Sequence, residues 1–398
     1  MNSGSNRVAV VGQGYVGLPL AIAANGGGFE VTGIDSQESR VKIIASGKSS
    51  VEDVSDVTIS KALKSGYLIS DSISQVSGCS IVIFALPTPL DIDSKPDLTI
   101  LYSAIKDAAP HISKGALIIV ESTIAPGAMR DEIFPLLSAS CGHSDFELAY
   151  SPERIDPKSA KWNISNTPKL VAGLSKSATK RAKDFYTKFV DDVRVFSSIE
   201  VVETAKLLEN SFRFVNISFI NEISMLCSNL GIDVMEVIEA ASSKPYGFMP
   251  FYPSAGVGGH CIPVDPMYLA HKAEAVGVPL KSIEVAHQIN EAMPAFYVGR
   301  SVEILGNLSG KKILVIGLAY KSNVSDVREG ASEKLISLLR KGGAMVSWHD
   351  EIVRSWNNEN SWALSDGFDL AILVTSHDGM DLSALGKTPI LNTFGGRK

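Results

Sequence analysis

The sequence predicts an α/β protein of two Rossmann-like, doubly wound domains joined by a long central helix. Three observations carry that expectation. In the first half, short β-branched runs alternate with helix-compatible segments, the pattern of a parallel sheet covered by crossover helices. A second, smaller series of the same kind opens at Lys311. Between them, from Ile199 to Leu230, neither Gly nor Pro interrupts the chain.

The first strand, Val8-Ala9-Val10-Val11, runs into Gly12-Gln13-Gly14-Tyr15-Val16-Gly17 and then a helical stretch over residues 18–25. A second strand follows at 30–35, with further strands expected at 81–86, 117–121 and 147–150. The uninterrupted run would span about 45 Å at roughly 1.5 Å per residue. It is apolar on more than one face (Leu207, Phe212, Phe214, Ile217, Phe219, Leu226) and ends at Gly231. Such a helix needs burial on several sides, so it is expected to form both an interdomain spine and a subunit interface. A Pro/Gly/aromatic-rich loop over 244–266 leads into a helix at 267–275. Later strands are expected at 313–316, 345–349, 370–375 and 389–392. Residues 352–365 are polar and weakly patterned and suggest no element. The expected domains are 1–198 for nucleotide binding, 199–300 as a helical centre, and 301–398 as the second Rossmann-like unit.

At 398 residues the chain exceeds one ordinary core. Its net charge of −6 gives no electrostatic reason for a nucleic acid or an anionic membrane as partner. An anionic substrate would need a local basic pocket. No apolar run reaches membrane length, and the N-terminal segment lacks the long apolar stretch of a signal peptide, so a soluble, cytoplasmic protein is expected. The four cysteines (Cys79, Cys141, Cys227, Cys261) show no CxxC spacing and fit reduced thiols. No histidine spacing suggests a metal, and none is expected.

Gly12, Gly14 and Gly17 form GxGxxG between a strand and a helix. Such glycines allow a tight turn, close approach to a pyrophosphate, and close helix–strand packing. The helix N-terminus, with Tyr15 and Val16 in its turn, offers oriented N–H groups. Asp35 ends the second strand, where a carboxylate bonds ribose hydroxyls and repels a 2′-phosphate. NAD is therefore expected rather than NADP. Arg40 lies either under the adenine or on an ordinary helix surface.

The most specific segment is Val257-Gly258-Gly259-His260-Cys261-Ile262-Pro263-Val264-Asp265-Pro266. Its two glycines are expected to let the backbone approach a ligand, while the prolines stiffen the loop. A thiol held this way suits covalent catalysis. Loop composition alone leaves a buried structural cysteine equally open.

Seven motifs fall in one order: Gly12–Ala21, Pro87-Thr88-Pro89-Leu90, Glu121-Ser122-Thr123-Ile124-Ala125-Pro126-Gly127, Ser151-Pro152-Glu153-Arg154, Lys206 with Asn210, the Cys261 loop, and Gly317-Leu318-Ala319-Tyr320-Lys321. In these the chain resembles the UDP-glucose/GDP-mannose dehydrogenase family over essentially its full length. It is most similar to the UDP-N-acetylhexosamine 6-dehydrogenase branch, which typically shows GGHCIPxDP.

The resemblance implies a four-electron oxidation of a sugar C6 alcohol to the acid, with NAD as acceptor and Cys261 as nucleophile. UDP-N-acetylglucosamine is the favoured substrate, ahead of UDP-N-acetylmannosamine and UDP-glucose. Lys206 and Asn210, at i and i+4 on one helix face, would stabilise the oxyanion. Asp265 would assist proton transfer, and Glu153 would activate the hydrolytic water. Thr123 would lie near cofactor and water, with Pro87, Thr88 and Ser122 lining the cofactor site. Arg154, Gly258, His260, Lys321 and Arg328 would contact substrate. His260 marks the substrate class more than it acts as base, and Arg328 is alternatively a salt bridge at a helix start. A homodimer or higher homo-oligomer is implied. Two places depart from the family pattern: Ser254-Ala255 replace a frequent Gly-Pro, and Asn392-Thr393-Phe394 replace a frequent Asp-x-Arg. These put substrate affinity or sugar choice in question. Two other classes remain: a single-step hydroxyacid dehydrogenase, which needs no cysteine, and a non-catalytic sugar-nucleotide binder.

Overall fold

The structure, a computed structural model, describes residues 6–155 and 161–394. The chain forms two compact units, residues 1–208 and 209–398, and the division falls within the helix Ile199–Leu230.

The N-terminal unit is built on eight strands: β1 (Arg7–Val11), β2 (Glu30–Ile34), β3 (Leu68–Ser70), β4 (Ile81–Phe84), β5 (Ala116–Val120), β6 (Phe146–Tyr150), β7 (Lys169–Gly173) and β8 (Val193–Val195). Their order is β3-β2-β1-β4-β5-β6-β7-β8, so the strand order reverses its sideways progression between the parallel neighbours β1 and β4. That is where an open α/β sheet forms its ligand crevice. Strands such as β4 and β5 are continuously apolar because helices cover both faces. Successive residues of β1 feed opposite cores, Ala9 and Val11 into one and Val8 and Val10 into the other. The expected parallel sheet needs one amendment, since β7 runs antiparallel to β6. Neither β7 nor the short strands β3 and β8 stood out in the sequence, and β7 begins on a buried lysine.

The C-terminal unit carries β9 (Lys312–Ile316), β10 (Met345–His349), β11 (Ser355–Trp356), β12 (Glu359–Asn360), β13 (Leu370–Leu373) and β14 (Ile390–Asn392). A four-stranded parallel sheet has the order β10-β9-β13-β14. The segment without expected structure holds a small antiparallel hairpin, β11–β12. Its turn residues, Asn357 and Asn358, have φ of 48° and 62°, the left-handed pair that a two-residue hairpin loop favours. Asn-Asn was the available signal. A helix at Lys281–Leu305, containing Pro294, was also not anticipated. Its Met293 and Tyr297 pack with Trp348 and Leu335 in this unit's core. Among the described residues no helix is long and apolar enough to cross a membrane.

Candidate active site

The three glycines after β1 meet three different demands. Gly12 has φ +93°, and a Cβ there would lie 2.3 Å from the Ala85 carbonyl oxygen. A Cβ on Gly17 would lie 1.8 Å from the Gly12 carbonyl oxygen, so this glycine lets the helix Gly17–Gly26 start against its own turn. Gly14 has nothing within 4 Å of its Cβ position. The first and third glycines are thus occupied by the fold, and the second faces open space, as the close approach of a pyrophosphate requires. Tyr15 is exposed beside it, and Val16 immediately precedes the helix.

Asp35 accepts from the Gln13 backbone N–H at 2.8 Å, the Gln37 N–H at 2.9 Å and the Arg40 guanidinium at 2.8 Å. Arg40 is therefore tethered to the carboxylate expected to meet the ribose. Gln13, unassigned from sequence, is fully buried. Its Nε2 donates to the Val10 carbonyl at 2.8 Å, and its Oε1 accepts from the Tyr67 hydroxyl at 2.7 Å. A Cβ on Gly33 would meet that hydroxyl at 2.2 Å. Pro87 and Thr88 follow β4, and Ser122 and Thr123 follow β5, at the same carboxyl edge of the sheet. The Ser122 hydroxyl accepts from the Leu86 N–H at 2.9 Å and joins these two loops. This set fits NAD: an open glycine, a helix N-terminus and a carboxylate ending β2.

Glu153 follows β6. Burial pushes its carboxyl pKa up, and the charge of Lys206, the Ile155 N–H bond and Lys169 pull it back only in part. Lys206 is itself buried. Behind Glu153 lies a network the sequence did not reveal. The Lys169 ammonium donates to Glu121 at 2.7 Å and to the Pro152 carbonyl at 3.2 Å, while the Tyr186 hydroxyl donates to the other Glu121 oxygen at 2.5 Å. The peptide preceding Glu153 is thereby clamped. Arg154 donates to the Pro168 carbonyl at 2.6 Å. One turn before Lys206, the fully buried Glu203 accepts from the backbone N–H of Gly127 at 2.6 Å and of Met129 at 3.0 Å. It ties the long helix to the loop that carries Ser122 and Thr123.

In the C-terminal unit, Cys261 lies in a turn just before the helix Asp265–Ala275, and its carbonyl accepts the Asp265 N–H at 2.9 Å. A helix N-terminus favours a nearby thiolate. Of the four cysteines, Cys261 alone is partly exposed. Asp265 is buried and accepts from the Asn210 amide at 2.5 Å, which sets the orientation of that amide.

The glycines before Cys261 also answer a demand of the fold itself. A Cβ on Gly259, at φ +86°, would lie 2.6 Å from the Tyr320 ring. One on Gly258 would lie 2.7 Å from the Glu329 carbonyl oxygen. Their absent side chains admit protein, and they seat the cysteine loop against the Tyr320-Lys321 motif. Two buried asparagines on flanking helices hold the approach: Asn221 accepts from the Ser254 N–H at 2.8 Å, and Asn290 from the Val257 N–H at 2.6 Å.

Beside this seam is a cavity of about 230 Å³, lined by Ser254, Ala255, Gly258, Tyr320, Lys321 and Phe394 among others. Three of the four departures from the family pattern therefore face one cavity together with its lysine. The fourth, Asn392, accepts the Phe394 N–H at 2.9 Å. Arg328 grips Asp326 with Nε at 2.9 Å and Nη2 at 2.6 Å, the salt bridge foreseen as its alternative role. Burial pushes the Asp326 carboxyl up. Its hydrogen bonds from Arg328, with the charges of Arg328 and His260, outweigh this and hold it below the ordinary value. His260 thus sits within electrostatic reach of that ion pair.

Models of the UDP-glucose/GDP-mannose dehydrogenase family match along the chain: its NAD binding domain at residues 6–190, its central domain at 200–292 and its UDP binding domain at 314–389. The chain is 34% identical over 343 residues to the UDP-N-acetyl-D-glucosamine 6-dehydrogenase of Pseudomonas aeruginosa, covering 84% of this chain and 79% of that one. It is also 34% identical over 381 residues to the UDP-N-acetyl-D-mannosamine dehydrogenase of Pyrococcus horikoshii, covering 93% and 89%. The solved structure of UDP-D-ManNAc dehydrogenase from Pyrococcus horikoshii superposes with a TM-score of 0.90 at 32% identity, covering 98% of this chain and 95% of that one. With its dinucleotide turn, its cysteine loop and its lysine-lined cavity in the family's order, the chain belongs to the UDP-glucose/GDP-mannose dehydrogenase family and is an NAD-dependent nucleotide-sugar dehydrogenase.

Proposed function

We propose that the chain oxidises the C6 alcohol of a UDP-N-acetylhexosamine, with UDP-N-acetylglucosamine favoured, to the uronic acid through Cys261. One observation carries the covalent reading: Cys261 alone among the cysteines is partly exposed, ahead of a helix N-terminus, in the loop whose Gly258 lines the Lys321 cavity. Gly14, Asp35 and the loops at Thr88 and Ser122 would hold NAD, which supplies the electron acceptor for both two-electron oxidations.

The residues divide the rest of the chemistry. The Cys261 thiolate adds to the C6 aldehyde, forming a C–S bond and a thiohemiacetal. Oxidation of that adduct gives a thioester. Water then cleaves the C–S bond, releasing the carboxylate and returning the thiolate. Holding the aldehyde covalently prevents its loss between the two oxidations. Lys206 and Asn210 stabilise the negative oxygen at each stage. Glu153, with its raised pKa, accepts a proton from the hydrolytic water, and Asp265 orients Asn210 and assists proton transfer. Thr123 positions water near the cofactor. Lys321, Arg154 and Arg328 supply positive charge for the diphosphate, and His260 shapes the loop around the C2 substituent.

UDP-N-acetylmannosamine is the second reading, because similar proteins carry both names. A panel of UDP- and GDP-sugars, with NADH release and product mass recorded, tests both. Two NADH and an acid product from a UDP-N-acetylhexosamine are expected; turnover confined to UDP-glucose, or one NADH per substrate, rejects the proposal. We further propose that the exposed stripe Leu208, Phe212, Phe219, Leu226 and Leu230 on the long helix packs against a second copy in a cytoplasmic homodimer. Light scattering of a Phe219→Glu protein tests this, with a halved mass expected.

A further inference from the structure

The two α/β units use one turn in two ways. Gly12 donates its N–H to the Ile34 carbonyl at 2.8 Å, and Gly317 donates to the His349 carbonyl at 2.8 Å. Both glycines have positive φ, +93° and +88°. Their Cβ positions are blocked by the backbone of Ala85 and of Thr375, each just beyond a neighbouring strand. In each unit an aspartate follows the second strand and accepts the N–H of the residue after the glycine: Asp35 from Gln13, and Asp350 from Leu318, both at 2.8 Å.

There the likeness stops. Asp350 is completely buried and also accepts from the N–H groups of Ala319, Ile352 and Val353. It is covered by His377, whose Nε2 lies 3.0 Å from its Oδ1. No ribose can reach it. His377 Nδ1 lies 2.9 Å from the Asn323 N–H. A backbone N–H only donates, so Nδ1 accepts and the proton sits on Nε2, directed at Asp350. The imidazole is therefore a neutral bridge between a buried carboxylate and the loop after β9. Its neighbours reinforce the same loop. Ser322 donates to the Ser376 carbonyl at 2.6 Å, Thr375 donates to the Ala319 carbonyl at 2.8 Å, and Asn323 exchanges two bonds with Asp378 at 2.8 and 2.9 Å. Between these anchors run Tyr320, Lys321 and Ser322, which line the cavity.

We propose that His377 is a positioning residue for substrate binding. By bridging Asp350 to the Asn323 amide it ties that buried carboxylate to the loop after β9. The same bridge fixes Lys321 in the shape that receives a nucleoside diphosphate. The inference rests on the reading of the Lys321 cavity as the UDP site.

The test is calorimetric titration of UDP, and separately of NAD, into the full-length wild type and the His377→Leu and His377→Gln variants. Leu leaves the Asn323 N–H and the Asp350 oxygen without their partner, so UDP binding is expected to weaken by about tenfold or more. Gln offers an accepting oxygen and a donating N–H₂ and is expected to restore most of the affinity. NAD binding stays unchanged in both. If the Leu variant also loses NAD binding, His377→Asn, too short to reach both partners, takes its place with the same expected loss. Wild-type affinity for UDP in the Leu or Asn variant overturns the inference alone. A wild-type protein that does not bind UDP overturns the reading of the cavity, and the inference with it.

Discussion

The Asn210 amide donates to the Asp265 carboxylate at 2.5 Å, so the long helix and the first turn after the cysteine loop share one hydrogen bond. In the proposed mechanism Asn210 holds the oxyanion, and Asp265 fixes the plane of its amide. Asn210→Ala is expected to lower kcat roughly 10²–10³-fold, the loss typical of removing one oxyanion donor. Asp265→Asn should cost a comparable factor. Because the two act as a unit, the double variant should be little worse than either single one. Steady-state kinetics of the four proteins check this, and multiplicative losses would separate the two roles.

Thiol accessibility gives a second prediction. Cys79, Cys141 and Cys227 are buried, and burial pushes the thiols of Cys79 and Cys141 up. Brief treatment of the native protein with iodoacetamide should therefore give one adduct, on Cys261, with activity lost in proportion. Peptide mass mapping reads the site. Cys261→Ser protein should form no acid product.

The dinucleotide turn predicts opposite phenotypes for neighbouring glycines. Gly17→Ala forces a Cβ into the Gly12 carbonyl and should destabilise the fold by roughly 1–3 kcal/mol. Gly14→Ala meets no protein atom, so its melting temperature should equal the wild type's while its Kd for NAD rises. Thermal melts with and without NAD distinguish the two.

Glu153 ties function to pH. A raised carboxyl pKa means that the folded chain holds this proton more tightly than the unfolded chain does. Its contribution to stability is complete below the unfolded value, about 4.3, and is lost as pH rises through the folded value. At pH 8 Glu153→Gln should melt above wild type, and the gap should close as the pH falls toward 4. The same variant should slow thioester hydrolysis, so that it gains stability while losing turnover.

Elements with a strong local signature were legible in the sequence. β1, the glycine turn and Asp35 stand within thirty residues of one another, and the run from Ile199 to Leu230 has no breaker. The less legible features depend on partners distant in sequence. Gln13 reads as filler inside GxGxxG until Tyr67, 54 residues on, is seen to bond it. Glu121 and Lys169 are 48 residues apart, and nothing local marks either as half of a buried pair. The cysteine-loop glycines were read correctly as sites of close approach, but a sequence cannot say what approaches; here it is Tyr320. β7 is inconspicuous because it opens on a lysine that only the fold buries, which leaves a short apolar run before Gly173.

Glu203 gives the long helix an index mark. Its two backbone bonds fix the helix's azimuth against the loop after β5, and Lys206, three residues on, inherits that angle. Adding one residue between them would swing the ammonium by about 100° around the helix axis while leaving every turn of the helix intact. A protein altered in this way would keep its helix content yet aim the cation of the proposed mechanism in the wrong direction.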